Sequence, residues 1–328
     1  MTITTLIPAF KPKYLRDLLI ALQHQTLRPE RIIVSDDSPD RAFRTLLLSE
    51  PLKSATASMN IEVIDGPRAG GLANCRHLLK AWNGSTELVH LLFDDDVIYP
   101  DFYAAHRDAH ASGQFDCSIS RRWTALESGQ PVGQLPAPDA IAKHPHRVLS
   151  LQSDLVFMTT IPGCNNWFGE FSNAVLNRDA AAMMMDTRLA GISYEGLGDV
   201  GMFLAASLKK PLCLINEPLG YFRTNPAQAT QQTSSHAFRL GILAWAALAI
   251  GGMRVGKLRH EHASGAFRTV QSLIHSRFAH MPEMLPFADL MRELIDGVPT
   301  AGDRFVEAWH AFIPDAQAAK AAGVASLA

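Results

Sequence analysis

Leu88-Val89-His90-Leu91-Leu92-Phe93-Asp94-Asp95-Asp96 is the stretch on which the fold turns. Six mostly apolar residues predict a buried strand, and three consecutive acids end it. Taking an unpaired carboxylate out of water is costly, so three in a row persist only against solvent or cations. In open α/β sheets ligands sit outside the C-terminal ends of the strands, and an acid-terminated strand points to such an edge. Oxygen-only ligands suit Mg²⁺ or Mn²⁺, ions that usually complete their shells with substrate phosphates. A solvated acidic turn would show the same triplet. The neighbouring segments decide between the two.

Upstream, strand and helix signals alternate. Ile3-Thr4-Thr5-Leu6-Ile7 is a β-branched run halted by Pro8, and Leu15, Leu18, Leu19 and Leu22 then recur at helical spacing. Arg31-Ile32-Ile33-Val34-Ser35 reads as a second strand, stopped by Asp36-Asp37-Ser38-Pro39-Asp40. Residues 42–48 read as a helix, Ile61-Glu62-Val63-Ile64 as a third strand, and Gly70-Gly71 opens a helix through residues 74–82. Repeated β-α-β-α predicts an α/β fold, a parallel sheet with helices on its faces. Downstream the pattern loosens. Residues 116–121 suggest a strand, 127–146 a loop, 199–208 a helix and 212–215 a strand, and from His236 onward the chain reads as helical.

Composition narrows the functional classes. Hydrophobic residues make up 47% and charged residues 19%, which fits a globule with a substantial core. A formal charge of −2 offers no electrostatic case for nucleic acid as a partner. Cys75, Cys117, Cys164 and Cys213 form no C-x-x-C pair and are expected to be free thiols in a reducing cytoplasm. The first residues lack the basic start of a signal peptide, and the apolar stretch 241–252 is too short to span a bilayer. That stretch is expected to be a buried helix, with peripheral membrane contact as the alternative.

Chemistry-bearing residues follow three of the predicted strands. Pro8-Ala9-Phe10 is a turn that could meet a flat base. Asp36 and Asp37 could accept from a uracil N–H or from ribose hydroxyls, or could cap the turn into the next helix. Gly70-Gly71-Leu72-Ala73-Asn74-Cys75-Arg76 places an arginine one turn into a helix, and both Arg76 and the helix N-terminus favour anionic groups. Asp94, Asp95 and Asp96 then supply the cation site. Strand alternation would set Asp94 and Asp96 on one side.

These segments together resemble a known family. Thr5-Leu6-Ile7-Pro8-Ala9-Phe10, Gln25-Thr26 before Ile32-Ile33-Val34-Ser35-Asp36-Asp37-Ser38, Gly71-Leu72-Ala73-Asn74-Cys75-Arg76, and Phe93-Asp94-Asp95-Asp96 before Pro100-Asp101-Phe102 occur in the order seen in family 2 glycosyltransferases. The resemblance implies the Rossmann-like GT-A fold with a helical C-terminal extension. It divides the chain into a glycosyltransferase domain, 1–230, and a helical region, 231–328. Residues 1–110 would be the nucleotide-binding half and 111–230 the acceptor half. It implies that Pro8, Ala9, Phe10, Asp36, Asp37, Gly71, Arg76, Asp94 and Asp95 bind the nucleotide of a nucleoside-diphosphate sugar, a UDP-sugar first among them. Asp94, Asp95 and Asp96 would hold Mn²⁺ or Mg²⁺. The spacing to Pro100 in the family favours Asp95 as the metal ligand, against the Asp94/Asp96 pair that alternation favours.

The resemblance also assigns a catalytic base in Tyr194-Glu195-Gly196-Leu197-Gly198-Asp199, with Asp199 first and Glu195 second; an N-cap role for Asp199 is the plain alternative. Leu219-Gly220-Tyr221-Phe222-Arg223-Thr224-Asn225-Pro226 resembles a later motif in which Arg223 would face the diphosphate or form a structural ion pair. Cys164-Asn165-Asn166-Trp167-Phe168 could line an acceptor pocket. The expected reaction is inverting transfer to an acceptor hydroxyl of a glycan, a lipid-linked sugar or a protein.

Other readings differ at particular residues. A nucleotidyltransferase would carry a glycine-rich loop with a base after its first strand, where Pro8-Ala9-Phe10-Lys11-Pro12 has no glycine. A receiver-like signalling domain would end near residue 130. A non-catalytic sugar-nucleotide binder would not need Asp199.

Overall fold

A computed structural model describes residues 1–224 and 235–325. The strands are β1 (Ile3–Ala9), β2 (Arg31–Asp36), β3 (Ile61–Asp65), β4 (Leu88–Leu91), β5 (Val97–Ile98) and β6 (Cys117–Ala125). They continue with β7 (Pro131–Gln134), β8 (Val148–Leu151), β9 (Ala174–Asn177), β10 (Arg188–Leu189), β11 (Ile192–Ser193) and β12 (Leu212–Arg223). Ten of them form one sheet along the path β3-β2-β1-β4-β9-β6-β12-β5, with β7 beside β6 and β8 beside β12. Strands β1 to β4 pair in parallel, β9 runs antiparallel between β4 and β6, and β6 and β12 are again parallel. This is the expected α/β architecture, a Rossmann-like sheet flanked by helices and followed by helices at the C-terminal end.

The chain divides into two compact units. The first comprises Met1–Leu151, Trp167–Met185 and Ala206–Thr224 and contains the whole ten-stranded sheet. Its core joins Ile3, Ile7, Ile32, Val34, Leu88 and Leu92 with Leu15, Leu18, Leu19 and Leu22 of the helix Leu15–Gln23. The leucine spacing that predicts that helix is thus the face it buries. The second unit comprises Gln152–Asn166, Asp186–Ala205 and the described part of Asn225–Ala328. It holds the β10–β11 hairpin and the helices His236–Arg254, His260–Arg277, Leu285–Ile295 and Ala301–Ala325. Among the described residues His236–Arg254 alone is long and apolar enough to cross a membrane, and about two-thirds of its apolar window is buried against protein.

Three expectations need correction. Strand β4 ends at Leu91, and Asp94–Asp96 lie in the turn before β5, where Asp96 N–H donates to Phe93 O at 3.2 Å. Strand alternation therefore does not reach the triplet. Strand β12 runs to Arg223 rather than stopping at Ile215, because irregularities on either side of Pro218 absorb a residue that cannot donate to the ladder. The segment 127–146 is not all loop, since it carries β7 and the short helix Asp139–Ala142.

Candidate functional site

Strands β1, β2 and β3 stand in register, so Ala9 lies opposite Asp36 and Asp36 opposite Asp65. Their C-terminal ends therefore deliver Phe10, Asp37 and Gly66 to one edge. Pro8 and Ala9 are buried inside β1, whereas Phe10 is 54% exposed. An aromatic face left this open at a strand end is available for stacking.

The two aspartates after β2 have different tasks. Asp36 is buried, its Oδ1 accepting from the N–H and Oγ of Ser38 at 2.8 and 2.5 Å and its Oδ2 from Arg44 N–H at 2.9 Å. The Arg44 bond satisfies an N–H in the first turn of the helix Ala42–Leu47, which matches the capping alternative foreseen for Asp36. Asp37 is half-buried, and its Oδ1 accepts from Arg68 N–H at 2.7 Å. Gly66 makes room for that carboxylate, because a Cβ there would lie 2.1 Å from Asp37 Oδ1.

Gly70, at φ 90°, turns the chain into the helix Gly71–Trp82, whose first N–H groups receive no side-chain cap. A Cβ on Gly71 would meet nothing within 4 Å, and Arg76 sits half-buried one turn along. An uncapped helix start with open space before it favours an anion.

The triplet splits into three environments. Asp94 Oδ2 accepts from the N–H groups of Phe10 and Lys11, both at 2.5 Å, and so ties the β1 turn to the β4 turn. Burial pushes the Asp94 carboxyl up to about 6, the two backbone donors oppose that rise, and the neighbouring Asp95 adds to it. Asp95 Oδ2 pairs with the Lys11 ammonium. Asp96 accepts from Arg223 N–H through Oδ1 at 3.2 Å, while its buried Oδ2 has no hydrogen-bond partner among the described residues. Burial first, then Asp95 and Glu170, raise the Asp96 carboxyl well above the ordinary range; the Ser172 hydroxyl and Arg223 N–H offset this in part.

Arg223 is the buried staple of this edge, at 2% exposure. It donates to Asp95 O at 3.0 Å, to Glu127 O at 2.6 Å and to Asp17 Oδ2 at 2.9 Å, with its guanidinium over the Tyr14 ring at 4.6 Å. It is a structural ion pair. The motif positions Asn225 and Pro226 lie outside the described residues. Below the triplet, His90 Nε2 faces Ser172 O and Nδ1 faces Tyr103 Oη, each at 3.0 Å. A carbonyl only accepts, so Nε2 carries the proton. Burial drops the His90 pKa to about 3 and keeps the ring neutral. Ser172 Oγ in turn accepts from Phe93 N–H at 3.0 Å, which fixes the start of the acidic turn.

Among the described residues, no group of three or more His, Cys, Asp or Glu side chains is gathered to hold a metal ion unaided. Mg²⁺ and Mn²⁺ need fewer protein ligands when water and phosphates complete the shell. The bare buried oxygen of Asp96, beside a second carboxylate, fits such an ion. Asp96 also lines a cavity of about 10 Å³ with Arg122, Ser172 and Asn173, space for about one water.

In the second unit, Asp199 opens the helix Gly198–Lys209 and its Oδ1 accepts from Val200 N–H at 2.8 Å. Asp199 and Glu195 are both half-buried. The loop between them is tightly built. Gly196 adopts φ 98° with a hypothetical Cβ 2.6 Å from Gly241 N, and one on Gly201 would strike the buried Tyr194 ring at 2.2 Å. Trp309 Nε1 donates to Ser193 O at 2.7 Å and anchors the hairpin that leads into this loop. Trp167 and Phe168 are buried in the first unit. All four cysteines are free thiols.

Lys11, Asp17, Tyr14, Glu127 and Glu170 are absent from the sequence-derived candidates. Their partners lie far away along the chain, as with Lys11 and Asp95 or Arg223 and Asp17, so no local pattern marks them. The sole local signal is Lys11 itself, the base inside Phe10-Lys11-Pro12.

No family model matches the sequence, and no curated protein matches it. Solved structures do. The chain is similar to S. aureus TarS at a TM-score of 0.57 and 15% identity, covering 97% of this chain and 54% of that one. It thus spans about half the length of that TarS structure. Against TarS 1–349 in complex with UDP-GlcNAc the TM-score is 0.56 at 14% identity, covering 97% and 89%. Against the mannosyltransferase PcManGT from Pyrobaculum calidifontis, in complex with GDP-Man and Mn²⁺, it is 0.50 at 13% identity, covering 97% and 86%. The chain shares the fold of these structures, a GT-A-type α/β fold with a helical C-terminal extension.

Proposed function

We propose that this protein is an inverting glycosyltransferase of the family 2 type, which moves a sugar from a nucleoside-diphosphate donor to an acceptor hydroxyl. A UDP-sugar is the first candidate donor, and a cell-surface glycan, a lipid-linked sugar or a protein the candidate acceptor. One observation carries the reading. A single sheet edge presents an exposed aromatic (Phe10), a half-buried carboxylate beside it (Asp37) and an acidic turn tied directly to the Phe10 backbone through Asp94. A base can stack on the first, a base or ribose group can donate to the second, and the third can meet a diphosphate through a divalent cation. The structural likeness to proteins solved with UDP-GlcNAc and with GDP-Man and Mn²⁺ supports it.

In this reading Phe10 stacks on the base and Asp37 accepts from the base or ribose. The helix start at Gly71 and Arg76 face the anionic end. Asp96 and Asp95 would hold the divalent ion, with Asp94 as the strut that positions their turn. When bound, the ion supplies charge neutralisation for the leaving diphosphate. Asp199 takes the proton from the acceptor hydroxyl as that oxygen attacks the anomeric carbon, with Glu195 as the second candidate base. Single displacement inverts the anomeric centre. The protein is proposed to act in the cytoplasm, with any membrane contact peripheral.

Thermal-shift measurements with nucleoside diphosphates and diphospho-sugars, with and without Mn²⁺, test the binding half. Ligand at 100 times its dissociation constant should stabilise by about 2.7 kcal/mol. No stabilisation by any member of the panel would overturn the reading. Asp199→Asn tests the chemistry: it should abolish transfer while leaving donor binding intact, and unchanged transfer would remove Asp199 as the base.

A further inference from the structure

We infer that Lys11 is a resident cation of the acidic turn, which a divalent ion must displace from Asp95, so that Lys11 sets the metal affinity of the site. The inference rests on the donor-site reading above. Three features build it. The backbone comes first: Asp94 Oδ2 holds the N–H groups of both Phe10 and Lys11 at 2.5 Å, which brings residue 11 against the turn whatever its side chain. Pro12 comes second. Proline disfavours the helical region for the residue before it, and Lys11 lies outside that region at φ −113°, ψ 85°. Side-chain chemistry is the third. The ammonium lands on Asp95 Oδ2, with 33% of the lysine side chain still exposed against 7% for the aspartate.

The neighbouring cations do not take this place. Arg223 spends its guanidinium on two backbone carbonyls and Asp17, and gives Asp96 only its main-chain N–H. Arg122 pairs with Glu170, and Lys13 with Glu127. Among the described residues Lys11 is therefore the one side-chain cation on a carboxylate of the triplet. A lone pair of Asp95 engaged by an ammonium is not available to a metal, and cationic charge beside a metal site repels the incoming ion. The partly exposed, flexible lysine stem lets the ammonium swing away when a divalent ion arrives.

Mn²⁺ titration of the full chain by calorimetry, with and without saturating UDP, tests this without any readout of transfer. Lys11→Met keeps both backbone bonds to Asp94 and should tighten Mn²⁺ about tenfold, the loss of one competing ion pair. Lys11→Arg retains a cation and should bind Mn²⁺ like the native chain. Lys13→Met removes an equal charge from a solvent-exposed pair nearby and should change affinity by less than about twofold. Melting temperatures of the variants establish that each is folded. Mn²⁺ and UDP binding to the native chain with no gain in Lys11→Met would overturn the inference and leave the donor-site reading standing. An equal gain in Lys13→Met would overturn it in favour of general charge. A native chain that binds neither Mn²⁺ nor UDP would overturn both.

Discussion

Strands β2 and β4 both end in adjacent aspartates, and the two ends use them in unlike ways. After β2, Asp36 turns inward and spends both oxygens on Ser38 and Arg44, which leaves Asp37 as the carboxylate at the edge. After β4, Asp94 turns inward onto the Phe10 and Lys11 amides, and Asp95 and Asp96 follow. The rule common to both is that the first acid anchors the turn, and the next one is the acid to which the proposed function gives a ligand role. What differs is charge compensation. The β2 end satisfies its buried carboxylate with neutral donors in its own turn. At the β4 end burial first, then Asp95 and Glu170, push Asp96 up, and its Oδ2 has no hydrogen-bond partner among the described residues. Neutral donors suffice for a cap, whereas a crowded, under-compensated cluster attracts a cation.

That contrast can be broken at either end. The largest effect belongs to Asp96→Asn. It should lower kcat/KM for transfer by about 10²–10³-fold, or roughly 3–4 kcal/mol, while the melting temperature holds or rises as a buried like charge is removed. A melting temperature that collapses alongside activity would make Asp96 a structural acid like Asp36. Next in size, Asp36→Ala strands the Ser38 and Arg44 N–H groups and should cost about 2–4 kcal/mol in urea unfolding. Donor affinity in the folded fraction should change far less.

The pH dependence of stability sharpens the comparison at the β4 end, which rests on a neutral histidine. Burial holds the folded pKa of His90 near 3, below its ordinary 6.5, so the unfolded chain binds a proton that the folded chain refuses. Stability from this source is intact above about pH 6.5 and is lost as pH falls toward 3, at up to about 1.4 kcal/mol per pH unit. Asp94 acts in the opposite sense. Its folded pKa of about 6 exceeds the ordinary 3.8, so it favours the folded state as pH falls through that window. His90→Gln should flatten the acid limb of a stability–pH curve by up to one proton, and an unchanged limb would remove His90 from it. The smallest expected effect is at Asp37. Asp37→Ala should weaken nucleotide binding about tenfold, or about 1.4 kcal/mol, with stability nearly unchanged. Gly66→Ala, which drives a methyl into the same carboxylate, should weaken binding in the same direction.

The parallel strands, their helices and the acids at their ends were legible because each is written in a few contiguous residues. Runs of four to six residues rich in apolar and β-branched side chains predict β1 to β4, and the leucine spacing at 15–22 predicts the face that its helix buries. The register of the triplet was not legible. Strand periodicity holds only while the ladder continues, and β4 stops three residues short of Asp94. The length of β12 was likewise hidden, since Asn216-Glu217-Pro218 reads as a strand end until irregular pairing to β6 carries it through.

The sequence by itself determined that acidic and aromatic groups would gather at one edge of an α/β sheet, because strand order and helix periodicity are local properties of the chain. Tertiary structure alone decided which groups are spent on architecture and which are left for chemistry. Asp36 and Asp94 became anchors, Arg223 became a buried staple to Asp17, and Lys11 came to rest on Asp95. The reason is physical. A carboxylate's role is set by the donors and charges within a few ångströms of it, and here those arrive from strands and turns as far as 206 residues away.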